Sequence, residues 1–273
     1  FHNRRVPLEL DYSSLRRELW LATDACYKQS AELFAKKEAS IKNRMRTDTT
    51  PDFKGLSAQI LADTGTVPMF DAGYFRQLCK DLSAIFSEYS AISASSVNVE
   101  FTPEHIYYVN SEGREYQKTE YYTGLEVVSS TQAADGMPLA NVYTSYSRKP
   151  SELPSRDSLM NAVKLTAANL NRLTFAPTLA DAYSGPVLFE DQAAAEIVAQ
   201  MFAPNLVAQR QPLTERGMQE SERYSAFQNK IGGRVLPEFL SITATPNKNN
   251  FGTTSLIGSY TIDDDGIAAQ QVN

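Results

Sequence analysis

Glu190 and Asp191 are the residues of this chain best placed to do chemistry, because they stand side by side where the sequence pattern changes. A Gly185-Pro186 breaker and a short apolar run (Val187, Leu188, Phe189) precede them. Behind them Ala194, Ile197, Val198, Met201 and Phe202 recur at helical spacing. A carboxylate at such a strand-to-helix junction is where a metal-dependent hydrolase holds its general base, beside two histidines. No histidine stands near this one. Two neighbouring carboxylates could instead serve as a paired acid and base, since each shifts the pKa of the other. The structural alternative is that acids in the first turn of a helix are simply stabilised by its dipole.

The rest of the chemical inventory is thin. Only His2 and His105 exist, and neither has a second His, Cys or carboxylate at ligand spacing. This argues against a zinc site built within the chain, and against Ser-His-Asp or Cys-His catalysis. His105, in FTPEHIYY, reads as a partly exposed strand-edge residue. Cys26 and Cys79 form no CxxC, and Cys79 shares a helical face with Phe75, Leu82 and Phe86, as a buried free thiol would. A disulfide stays open, although nothing requires an oxidising compartment. Gly232-Gly233 belongs to no phosphate-binding pattern. Asp263, Asp264 and Asp265 before Gly266 lack the closing Glu of a calcium loop and read as a solvated acidic turn.

Composition sets the outer bounds. At 273 residues, 42% hydrophobic and 21% charged, the chain reads as an ordinary globular protein of two domains. A net charge of −6 argues against nucleic acid or an anionic membrane as the main partner. No apolar run approaches the roughly 18 residues that a membrane span needs. Phe1 at the start and the strand-like segment before Asn273 at the end predict an internal piece of a longer protein.

The elements that must position these residues are read from periodicity. Residues 14–46 form a helix with Asp11 or Ser13 as cap, Leu15, Leu19, Ala22, Cys26 and Leu33 near one face, and a basic end. Residues 47–70, rich in Thr, Asp, Pro and Gly, read as a connector. A helix over 73–89 follows, and the period then changes to two. Strand-like runs at Val97–Phe101, Ile106–Val109, Tyr116–Tyr122, Leu125–Thr131 and Asn141–Tyr146 predict an antiparallel meander over 95–147 with a turn at Asn110–Gly113. A helix over 158–173 and a linker over 175–183 complete this part. Beyond them come a helix over 190–203, a polar stretch over 209–228, and strand-like 239–245 and 255–262.

The fold class expected is therefore α+β. An N-terminal domain over 1–182 packs the three helices on the meander. A mainly β C-terminal domain over 183–273, incomplete in this chain, carries the 190–203 helix at its edge.

Four segments in order resemble the TldD/PmbA proteins, once called modulators of DNA gyrase and regarded as a bacterial metallopeptidase family. They are NSEG at Asn110–Gly113, GPVLFEDQAAAEIVAQ at Gly185–Gln200, GGRVLPEFLSI at Gly232–Ile242, and GSYTIDDDGIAAQQV at Gly258–Val272. In the catalytic TldD branch the strand after the linker leads into HExxxH, whose histidines bind zinc while the glutamate activates water. Laid on this sequence the motif falls on Phe189 to Ala194. The glutamate position is Glu190, and the two ligand positions hold Phe189 and Ala194, which suit a packed helix start. The family's further cysteine ligand falls beyond Asn273.

The departure points to the PmbA (TldE)-like side, whose members lack the zinc motif. The resemblance implies a cytoplasmic, zinc-less pseudoenzyme with no cofactor in this chain. It would act as a homodimer, or as a heterodimer with a TldD-like catalytic subunit, around unfolded peptide substrates. Two other readings stand beside it: an active peptidase or hydrolase that uses Glu190 with residues outside this fragment, and a structural scaffold that kept the fold and lost the chemistry.

Overall fold

The computed structural model describes residues 8, 11–43, 51, 54–63, 65–177, 181–206, 213–214, 217–218, 227, 230 and 232–272. His2, the basic end at Arg44 and Arg46, and most of the polar stretch over 209–228 lie outside these residues. The chain is α+β and divides into two compact units, each built from two segments. One unit takes 1–54 with 186–240, and the other 55–185 with 241–273. The expected domains, 1–182 and 183–273, were continuous.

In the first unit α1 runs over Tyr12–Asn43. Asp11 is its cap: the carboxylate accepts a hydrogen bond from the Ser14 amide at 2.9 Å, which holds the Asp11 pKa below its ordinary value. Three i,i+4 ion pairs, Asp24–Lys28, Glu32–Lys36 and Glu38–Lys42, brace the exposed surface. The apolar stripe expected to face inward is not buried. Leu19 and Leu33 are about half exposed and Cys26 is exposed, so α1 adds nothing to the hydrophobic core cluster. The expected 190–203 helix is a run from Asp191 to Leu206: α4 (Asp191–Ile197), a π-helical turn (Val198–Phe202) and α5 (Ala203–Leu206). A short ladder in this unit pairs two further strands antiparallel, β5 (Leu213–Thr214) with β6 (Gly217–Met218).

The second unit holds the core. Its sheet comprises β1 (Gln59–Asp63), β2 (Ala94–Val109), β3 (Arg114–Gln132) and β4 (Pro138–Ser147). β3 is central. It pairs antiparallel with β2 along one side, and on the other with β4 and, in parallel, with β1. The sheet is therefore mixed, and the expected connector over 47–70 contains a strand. The two runs predicted at 116–122 and 125–131 are one strand: Gly124 is no break, and its missing side chain leaves room for the Tyr146 ring, 3.0 Å from where a Cβ would stand. Pro103 is tolerated inside β2 because that strand lies at the sheet edge among the described residues.

The hairpin between β2 and β3 turns where the sequence predicts. The Asn110 side chain accepts hydrogen bonds from the amides of Glu112 and Arg114 at 3.0 and 2.9 Å, and Gly113 adopts φ +78°. Two helices pack on the upper half of the sheet. α2 (Ala72–Ala84) is capped by Asp71 and continues as a 3₁₀ turn over Ile85–Glu88, which replaces the last turn of the expected 73–89 helix. α3 (Arg156–Leu173) starts two residues before the expected 158 because Ser155 caps it. Phe75, Leu78, Leu82, Ile85, Leu159, Val163 and Ala167 meet Leu125 and Val127 in the core cluster.

β3 buries opposite faces in its two halves. In the upper half Thr123, Leu125, Val127 and Ser129 are buried beneath the helices; in the lower half Arg114, Tyr116 and Lys118 are buried on the other face. The lower face is covered by the segment 256–267, whose carbonyls and carboxylates meet those side chains. This segment is mostly irregular. The expected strands at 239–245 and 255–262 reduce to the two-residue ladder of β7 (Asn250–Phe251) with β8 (Thr254–Ser255) and isolated bridges, Ala244 to Val272 and Ile262 to Ala268. Pro246, Asn247, Asn249, Gly252 and Gly258 break the alternation before a longer ladder can form.

Candidate functional site

The junction that opened the sequence reading is laid out as follows. Phe189 precedes the helix and is 47% exposed; Ala194 is half-buried. Glu190 is the N-cap residue of α4, with extended backbone (φ −122°, ψ 159°), and its carbonyl accepts from the amides of Ala193 and Ala194. Its carboxylate makes no capping hydrogen bond. Asp191 lies in the first turn, where the helix dipole favours a negative charge, but at φ +50°, in the left-handed region that side chains rarely adopt. Both carboxylates are exposed.

Zinc binds through nitrogen, sulfur or oxygen donors. At the two positions onto which the resemblance lays the ligands of HExxxH, this chain has a phenyl ring and a methyl group, and neither supplies a donor atom to a metal. Among the described residues no group of three His, Cys, Asp or Glu side chains is placed to hold a metal ion. His105 is exposed on the edge strand β2, its Nδ1 3.0 Å from Thr119 Oγ1. Cys79 is partly buried, and burial pushes its thiol pKa up, which makes it a weak nucleophile.

The second feature lies on the lower face of the sheet. A groove of about 560 Å³ opens between β2–β3 and residues 257–264. Three basic side chains tie the segment beyond 256 to the sheet region. Arg114, 5% exposed, donates from Nε to the Gly266 carbonyl at 3.0 Å, from Nη1 to Ser57 O at 3.1 Å and from Nη2 to Gln59 Oε1 at 3.1 Å. Arg148 donates from Nε to the Leu256 carbonyl and from Nη2 to Ser259 Oγ. Lys118, 7% exposed, lies between Glu120 at 2.9 Å and Asp264 at 3.0 Å. Burial works against its charge, but the hydrogen bonds it donates to these two carboxylates overcome that and hold its pKa above the ordinary value.

The predicted acidic turn is thus more than solvated. The Asp263 carboxylate accepts from the amides of Asp265 and Ile267, closing the turn, while Asp264 fastens it to Lys118. The sequence reading missed Glu104, Lys118 and Glu120. The signal was present: a hairpin closed at Asn110–Gly113 puts Glu104 opposite Glu120, and the register bears this pairing.

Comparison with known families bears on the last third of the chain. Residues 182–273 match the family described as the PmbA/TldA metallopeptidase C-terminal domain. The match lies within the last third of the chain and supports, for that segment, a likeness to the PmbA/TldD family. The matched segment contains both the 185–206 junction and the turn that covers the lower sheet face. No curated protein matches the chain. No helix among the described residues is long and apolar enough to cross a membrane.

Proposed function

We propose that this chain is a zinc-less, PmbA (TldE)-like subunit that helps the proteolysis or processing of unfolded peptides in the cytoplasm, as a homodimer or beside a TldD-like catalytic subunit. The observation that carries this reading is the pair Phe189 and Ala194, two side chains without a donor atom at the positions where zinc-binding relatives need histidines. Glu190 remains between them, exposed and uncoupled from any base among the described residues.

A role in holding peptide has separate support in the sheet. Among the described residues the outer edge of β2 pairs with no strand over its sixteen residues. An extended peptide can add to such an edge through main-chain hydrogen bonds, with little demand on its sequence.

The test is elemental analysis of the purified chain, followed by mixing with a family member that carries HExxxH. The chain alone should hold no stoichiometric zinc and leave an unfolded polypeptide intact, and the mixture should cleave it faster than the partner alone. Stoichiometric zinc in this chain, with cleavage abolished by Glu190→Gln, would establish it as the active hydrolase. No effect on the partner and no peptide binding would leave it a scaffold.

A further inference from the structure

We infer that α1 pairs with the α1 of a second copy of this chain as a parallel, in-register coiled coil. The inference starts from a long helix whose apolar side chains stand in water. α1 runs for 32 residues, yet none of its described side chains is buried and none belongs to the core cluster. A helix in a protein draws most of its stability from packing an apolar face. Here Tyr12, Leu19 and Leu33 are each half or more exposed, and Cys26 is exposed with them.

Their spacing says what kind of surface covers them. Tyr12, Leu19, Cys26 and Leu33 stand seven residues apart, and Leu15 and Ala22 each fall three beyond one of them. These are the a and d positions of a heptad repeat, held for three heptads over about 30 Å of helix. Gln29 is the one polar residue within this seam, and Lys36, at the next d position, ends it. A line at strict sevens drifts around a straight helix, and it keeps to one seam when two helices wind about each other.

The charges beside the seam name the partner and its direction. In a parallel pair each g residue faces the e residue five positions further on in the partner, and such pairs set partner choice and orientation. On this helix the relation joins the capping Asp11 to Arg16 and Glu32 to Lys37, opposite charges both times, while Glu18 meets Thr23 and Ala25 meets Ser30. Antiparallel pairing sets g beside g and e beside e, which brings Glu18 towards Glu32 and Arg16 towards Lys37. Like charges so placed suppress that arrangement. In parallel the helix is its own complement, so a second copy of the chain is the partner it fits.

The test weighs the full chain by light scattering at about 100 µM. It should have twice the monomer mass. Leu19→Glu should weaken the pairing by about tenfold or more while hydrogen exchange over α3 stays unchanged, which shows the fold intact. Direction is read separately, by mild oxidation of Leu33→Cys in a Cys26→Ser background, with Cys26→Ser alone as control. A parallel, in-register pair brings the two introduced thiols within disulfide reach, and an antiparallel one holds them apart. Three results would overturn the inference. They are a monomer, a larger assembly that draws in the neighbouring exposed line of Trp20, Tyr27 and Phe34, and a dimer that survives Leu19→Glu or fails to cross-link at position 33. The pairing supplies an interface for the homodimer considered above, and its measurement uses neither peptide nor catalytic partner. A monomer would therefore leave assistance to a TldD-like subunit standing.

Discussion

Replacing Arg114 tests how the turn at 263–267 is held on the sheet. This side chain is almost fully buried and bridges three places: the Gly266 carbonyl, the Ser57 carbonyl ahead of β1, and the Gln59 side chain on β1. Hydrogen bonds to a charged group contribute about 1.5–3 kcal/mol each, and they are not additive when one side chain makes all of them. The burial of an arginine with no carboxylate partner among the described residues offsets part of the gain. Arg114→Ala also leaves the Gly266 and Ser57 carbonyls short of a donor. The net loss should be about 3 kcal/mol, concentrated where the bonds were. Arg114→Lys keeps the charge but loses the fork, and should recover about half of it. Hydrogen exchange followed by mass spectrometry reads the effect locally: a peptide covering 258–268 should lose about two decades of protection, and one covering α3 should hardly change. Unchanged protection over 258–268 in Arg114→Ala would refute the idea that this guanidinium fastens the turn.

Two further expectations concern groups buried in the same sheet. Thr123 is fully buried and its hydroxyl has no hydrogen-bond partner among the described residues, so Thr123→Val should stabilise by about 1 kcal/mol, seen as a higher urea midpoint at unchanged slope; a lower midpoint would mean that the hydroxyl is satisfied in solution. Lys118 has a pKa raised in the folded state, so its contribution is complete below the unfolded value near 10.5 and lost as pH rises through the higher folded value. Wild type should therefore lose more stability than Lys118→Met between neutral pH and the alkaline side of 10.5, and parallel pH profiles would exclude the pair with Glu120 and Asp264 as the cause.

The elements legible in the sequence were those whose signals are local. Asp71 before Phe75, Leu78 and Leu82, and Ser155 before Leu159, Val163 and Ala167, mark α2 and α3 through a cap and a 3.6-residue period. The Asn110–Gly113 turn is equally local. β1 was not legible, because QILAD carries one weak alternation and its partner on β3 lies more than fifty residues away in a parallel pairing. α1 shows the converse failure: its apolar spacing is real, but periodicity reports a face and not what covers it.

The candidate sites divide in the same way. Phe189, Glu190 and Ala194 could be placed by position in a motif, although the exposure of Phe189 and the left-handed backbone of Asp191 could not. The groove depends on which side chains stand opposite one another and on a segment more than a hundred residues downstream folding back over them. Glu104, Lys118 and Glu120 looked like surface charges on a half-exposed ribbon, because nothing in their neighbours announces the cover.

The switch of buried face along β3 restricts how this sheet can change in evolution. Lys118 is buried on one side and Thr123 on the other, with residues 119–122 between them. That spacer is constrained in its parity. A pair of residues added there, matched in β2, would leave both covered faces in place, whereas a single residue would turn one half of the strand over against the other. The lower half would then offer Arg114 and Lys118, or the upper half Leu125 and Val127, to water. Length variation between the groove and the helical core should therefore come in twos, and related sequences can be read for it.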